Sequence, residues 1–152
     1  MPEVDESRFT IGVFQDVAWA ERGLQALKTH GFPTEAVSII AKDAPESAGL
    51  IERTFGGAPA RLTLPRLGSV VATGALVGAL DGSAGDFARL GLAAALKRVG
   101  FQTHDGQIFE TLTDKGGILV GIQGEYRAAD ALSVLHSFGG GNAAIGAWTG
   151  RV

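Results

Sequence analysis

The 152-residue chain reads as one α+β domain, an antiparallel sheet of four strands with two helices on one face. Three observations predict it. A strand, helix, strand signature opens the chain, a similar signature returns near the other end, and a long glycine-rich stretch lies between them. Shifting the chain by 108 positions places Gln15, Leu24, Leu27 and Gly31 on Gln123, Leu132, Leu135 and Gly139, with Ile11 on Leu119 and Val37 on Ile145. Two βαβ halves so related make a ferredoxin-like sheet. The chain divides into an acidic tail (1–7), a first half (8–43), a helical glycine-rich insertion (44–116) and a second half (117–152).

Each element has its local reason. Residues 8–14, RFTIGVF, alternate toward β with aromatic and β-branched side chains. Asp16 suits a helix N-cap, and Val17, Ala20, Leu24 and Leu27 recur at helical spacing to about Thr29. His30 and Gly31 read as the last turn and a left-handed cap. Ala36–Ala41, AVSIIA, is a short buried strand. In the second half, GILVGIQ (117–123) is a strand, Glu125 to Ser137 a helix, GGGN a turn and AAIGAW (143–148) the last strand.

The insertion opens with a helix from Pro45 to about Thr54, closed by Gly56 and Gly57, and a loop ending near Thr63. Pro65 suits a first helical position, so a helix is expected from there to about Leu80, with Gly74, Gly78 and Gly82 lined on one face. Asp86 caps a helix through FARLGLAAALKRV, and a further helix runs from Thr103 or Asp105 to about Asp114. A loop this long is expected to fold on itself, on the sheet or on another copy.

Composition narrows the function. With no cysteine, thiol catalysis, iron–sulfur ligation and cysteine-type zinc sites are excluded. Net charge is −3 and the 13 basic residues form no stripe, so no nucleic-acid partner is expected. No secretory signal is visible at the N-terminus, which makes a cytoplasmic location the default. Leu67 to Leu80 is uncharged but only about 21 Å of helix, against about 30 Å of hydrocarbon, so membrane contact is not favoured.

Catalytic, cofactor and metal sites are not expected. His30 and His136 sit near helix ends, where the dipole favours a cationic ring. His104 beside Asp105, with Glu110 further on, fits no ligand spacing. FGGAPA, DGSAGD and SFGGGN lack the lysine and hydroxyl of a phosphate loop, and Ser38, Ser69, Ser83 and Ser133 lie in no nucleophile-elbow context. The expected function is therefore self-association. Gly74, Gly78 and Gly82 would admit a close backbone approach, flanked by Leu76, Val77 and Leu80; Trp148 on the last strand is read equally as core or as an interface anchor. The alternative is a small-molecule or lipid-binding module, peripherally membrane-associated in one form, with the sheet face or an intersubunit cleft as its site.

The order of parts also resembles a known family. Gly12 to Phe14, Ala20 to Arg22, Gly31 to Pro33, Val37 to Ile40, Gly74 to Gly82, Gly116 to Gly121 and Ala128 to Leu132 carry the resemblance, which covers most of the chain. Together they are similar to the general stress protein family of small bacterial proteins. The resemblance implies a stress-associated, non-enzymatic protein with no catalytic residue to transfer. Relatives typically carry a longer, more apolar pair of helices in the glycine-rich segment, often associated with membranes; here Asp81, Asp86 and Arg89 interrupt it.

Overall fold

A computed structural model of the chain describes residues 9–82, 85–99, 101–123 and 148–150. The acidic tail, the expected helix from Glu125 to Ser137 with His136, and the turn that follows it lie outside the described residues. The elements run β1 (Phe9–Phe14), α1 (Val17–Thr29), a 3-10 turn (Thr34–Ala36), β2 (Val37–Lys42), α2 (Pro45–Phe55), β3 (Ala60–Leu64) and β4 (Gly68–Thr73). After these come α3 (Ala75–Asp81), α4 (Asp86–Leu90), α5 (Leu92–Arg98), α6 (Thr103–Asp114), β5 (Ile118–Gln123) and β6 (Trp148–Gly150).

The fold is α+β with one antiparallel sheet, but the sheet has six strands where four were expected, in the order β3-β4-β2-β5-β1-β6. β5 lies between β1 and β2, pairing Ile118 with Phe14 and Leu119 with both Val13 and Ile40. The two added strands come from residues 60–73, expected as a loop and the start of the glycine-striped helix. Their ladder runs from Ala60 opposite Ala72 to Leu64 opposite Gly68, around a turn in which Arg66 (φ 71°) and Gly68 (φ 76°) are left-handed. Val70, Val71 and Thr73 are β-branched, and with β2 beside them they pack better as a strand than as a helix. Tertiary pairing here overrides the glycine spacing.

Helices cover both faces of the sheet rather than one. On the first face Phe14, Val37, Ile39, Ala41, Val71, Ile118, Val120 and Ile122 meet Ala20, Leu24 and Leu27 of α1 and Ala48, Leu50 and Ile51 of α2. On the second face Ile11, Val13, Ile40, Val70, Ala72 and Leu119 meet α3 to α6 through Leu76, Leu80, Phe87, Leu92, Leu96 and Phe109. The alternation along each strand divides the two cores, as pleating requires.

α1 and α2 match their sequence signals. Asp16 caps α1 by accepting a 2.9 Å hydrogen bond from the Trp19 amide, and Gly56 closes α2 at φ 77°. Where one helix was expected from Asp86 to Val99, there are two. Gly91 adopts φ 91°, outside the helical region, and its Cβ would lie 3.5 Å from Pro65, so the chain turns there to seat α5 against α6. α5 and α6 cross closely at Gly106, where a Cβ would stand 3.0 Å from the Ala93 carbonyl oxygen. Phe101 and Phe109 close that end edge to face at 6.2 Å.

Candidate functional site

Of the residues expected at a subunit contact, Leu76 and Leu80 are buried in this chain's own core, while Gly74, Gly78 and Gly82 remain exposed. Gly74 precedes α3 at φ 107°, and a Cβ there would fall 2.3 Å from Ser38 Oγ; the buried Ser38 hydroxyl in turn accepts a 2.9 Å hydrogen bond from the Leu76 amide. Leu76 and Leu80 are fully buried in the second-face core, and Val77 is half-buried against it. Gly82 ends α3 at φ 59°, with the Arg98 guanidinium 3.1 Å from where a Cβ would be. Only Gly78 faces open space. The three glycines therefore do not form one helical stripe: a helix of seven residues separates two bends. Trp148 lies in β6, its backbone opposite Ile11.

The second face holds two buried acids, and both are occupied. Asp86 pairs with Arg89 and, at 2.9 Å, with Arg98, while Arg98 also donates to the Ala79 and Leu80 carbonyls (2.9 Å to Leu80). Glu110 accepts from the Ala93 amide at 3.1 Å, satisfying a donor in the first turn of α5, and faces Arg66 at 3.5 Å. Each acid ties one insertion helix to the next. Asp105 Oδ2, in the first turn of α6, is buried without a hydrogen-bond partner among the described residues, at the positive end of the helix. His30 Nδ1 donates to the Ala26 carbonyl at 2.8 Å, a helix-end role as the sequence suggested, and His104 is exposed on α6. Among the described residues no three His, Asp or Glu side chains are placed to share a metal ion, and no helix is long and apolar enough to cross a membrane.

The site that remains is on the first face, where α1 and α2 lie side by side. Both helices are amphipathic, and each buries only the stripe that meets the sheet, so a groove opens between their outer faces. Towards their C-terminal ends it measures about 420 Å³, within the range of small-ligand sites. Leu24, Leu27, Phe32 and Val37 form the floor; Glu21, Gln25, Lys28, Thr34, Arg53 and Thr54 form the rim. Arg53 reaches across to Glu21, with Nε to Oε2 at 3.1 Å and Nη2 to Oε1 at 3.4 Å. Both side chains are more than half exposed, so this two-pronged clasp adds little stability but sets the width of the mouth.

A second cleft of about 370 Å³ lies at the opposite ends of the same helices, lined by Asp16, Val17, Ala18, Lys42, Ala44, Glu46, Ser47 and Gly116. Its charges run the other way. Asp16 and Glu46 already sit at the positive ends of α1 and α2 and leave little field for an anion. Lys42 is engaged by Asp114 at 2.7 Å; its hydrogen bond and its charge hold the Asp114 carboxyl below the usual range, with a lesser contribution from Arg66.

The extent of α2, from Pro45 to a glycine close at Gly56, was legible in the sequence, but its position beside α1 was not. Glu21 and Arg53 are 32 residues apart, and no local spacing announces that they meet. Comparison with protein-family models, curated proteins and solved structures finds no match.

Proposed function

We propose that this chain is a non-enzymatic small-ligand-binding module whose site is the groove between α1 and α2. The observation that carries the reading is the contrast on that groove's walls: an apolar floor of Leu24, Leu27, Phe32 and Val37 beneath a rim of charged and hydroxyl groups. Such a floor excludes water while a few polar groups fix orientation. Asp86 and Glu110, the buried acids that chemistry would need, are spent on structural ion pairs and a helix cap. We read the order β2-β5-β1-β6 as the split βαβ arrangement of a ferredoxin-like sheet, with β3 and β4 added at one edge. A stress-associated role, as the family resemblance implies, is compatible with a ligand-sensing module.

Native mass spectrometry of the gently purified chain tests the reading. A bound small molecule should be present, and it should be lost in Leu24→Trp, which fills the groove. If the wild type carries no adduct and a panel of small apolar acids, alcohols and amines gives no thermal stabilisation, the reading fails.

One observation favours self-association as a second reading. Among the described residues β3 pairs with β4 on one side only, its Ala60, Arg61 and Thr63 are exposed, and a row of backbone groups there can accept a strand from a second copy. Arg61, held at 3.3 Å by Asp43, tempers that edge. Light scattering behind a sizing column should then show a discrete oligomer, and a monomer at every concentration would remove this reading.

A further inference from the structure

We infer that the α1–α2 groove takes a small organic monocarboxylate, with Lys28 as the cation that selects it; the inference rests on the groove being a ligand site. The rim carries three charges. Glu21 and Arg53 satisfy each other. Lys28 is exposed on the last turn of α1 and has no ion-pair partner among the described residues. Among the described residues the rim therefore presents one unpaired positive charge, flanked by the neutral Gln25, Thr34 and Thr54.

The helix geometry sets how much negative charge the groove tolerates. This end of the cleft faces the C-terminal halves of α1 and α2, whose carbonyl ends carry partial negative charge. A phosphate dianion prefers helix N-termini and amide nests, which lie at the opposite end of these helices. A single carboxylate, spread over two oxygens and carried on an apolar body, matches one ammonium and a floor of Leu24, Leu27, Phe32 and Val37. At about 420 Å³ the groove is at the small end of ligand sites, which favours a compact ring or short chain. Lys28 also complements the dipole of α1, and that role needs no ligand. What distinguishes a ligand role is its place on the rim of an apolar-floored groove.

Glu21 gives the inference a second handle. Its carboxylate occupies the Arg53 guanidinium, so it mimics and competes with an incoming acid. Loosening the clasp should free a second cation for the ligand. Lys28→Gln and Glu21→Gln are therefore expected to act in opposite directions.

The experiment is a titration of the full chain with benzoate and with benzyl alcohol, followed by amide NMR shifts of Leu24, Lys28, Thr34 and Thr54. Benzoate should bind about tenfold more tightly than the alcohol. Lys28→Gln should weaken benzoate about five- to tenfold and leave the alcohol unchanged. Glu21→Gln should tighten benzoate roughly two- to threefold. Both positions are exposed, so both variants should fold, which circular dichroism checks. Equal affinity for acid and alcohol, or an unchanged benzoate affinity in Lys28→Gln, would overturn the carboxylate assignment while leaving the groove as a site. If neither probe moves the groove amides, the carboxylate inference is overturned, while the groove as a site stands or falls on the native mass spectra and the wider ligand panel.

Discussion

The two faces of the sheet are built by different rules. On the first face two helices of 13 and 11 residues each lay a continuous apolar stripe on the strands. On the second, α3, α4 and α5 have only 7, 5 and 7 residues, and just α6 is long. Helices that short are unstable alone and exist only because tertiary contacts hold them. Yet the second core is no looser, since Leu76, Leu80, Phe87, Leu92, Leu96 and Phe109 are all fully buried. Short, bent elements joined at glycines can seal a sheet as completely as long regular ones. The pair on the first face leaves a groove of about 420 Å³ between its helices, whereas the second-face helices carry a smaller cleft of about 240 Å³ on α6.

The equivalence of the two cores can be broken by matched truncations. Leu27→Ala on the first face and Leu80→Ala on the second should each cost about 3 kcal/mol in denaturant unfolding, because both remove a fully packed side chain. A Leu80→Ala loss below about 1 kcal/mol would mean that the short helices are peripheral.

Glycine substitutions give the next largest effects, with opposite signs. A Cβ at Gly23 would lie 2.3 Å from the Phe14 ring, so Gly23→Ala should destabilise by about 1–3 kcal/mol, through either a displaced ring or a displaced α1. A Cβ at Gly78 meets nothing within 4 Å, so Gly78→Ala should stabilise by about 0.5–1 kcal/mol through helix propensity. Thermal unfolding of both variants reads the signs directly, and destabilisation by Gly78→Ala would restore a packing role for that glycine.

The smallest effect concerns acid. The Asp114 carboxyl is held below its ordinary pKa of 3.8 by Lys42, so its contribution to stability is present above that value and is lost as pH falls through the lowered one. Lys42→Met should therefore flatten the acid limb of a Tm-against-pH curve slightly, with no change near neutrality beyond the lost surface pair. An identical acid limb would show that Lys42 does not lower the Asp114 pKa in the folded protein relative to the unfolded chain.

How much was legible follows from the same contrast. Asp16, Leu24 and Leu27 announced α1, Pro45 and Gly56 bracketed α2, and the alternation in RFTIGVF marked β1, because each signal is local; GILVGIQ reads as a strand through its match to the first half. Residues 65–82 misled, since the four-residue spacing of Gly74, Gly78 and Gly82 imitates a helical stripe. Their actual duties are separate: a bend over Ser38, an open helix position and a bend under Arg98. Ser69 to Thr73 is helix or strand according to its neighbour, and that neighbour, β2, is some thirty residues away. The groove was invisible for a similar reason, because it belongs to a pair of helices rather than to either one.

The place of β5 has a consequence for the order in which this molecule comes into being. Residues 118–123 sit between β1 and β2 in space but follow both in synthesis. On the ribosome the first two strands emerge with no means of touching, and everything from Asp43 to Gly117 must be made before the strand that joins them arrives. Until then both apolar faces have only half a sheet to cover. A nascent chain halted before Ile118 thus holds the partners of the β3-β4-β2 ladder but leaves β1 unjoined, open to wrong pairing and to chaperones. Docking of this one segment joins β1 to β2 and so brings the two parts of the sheet together late.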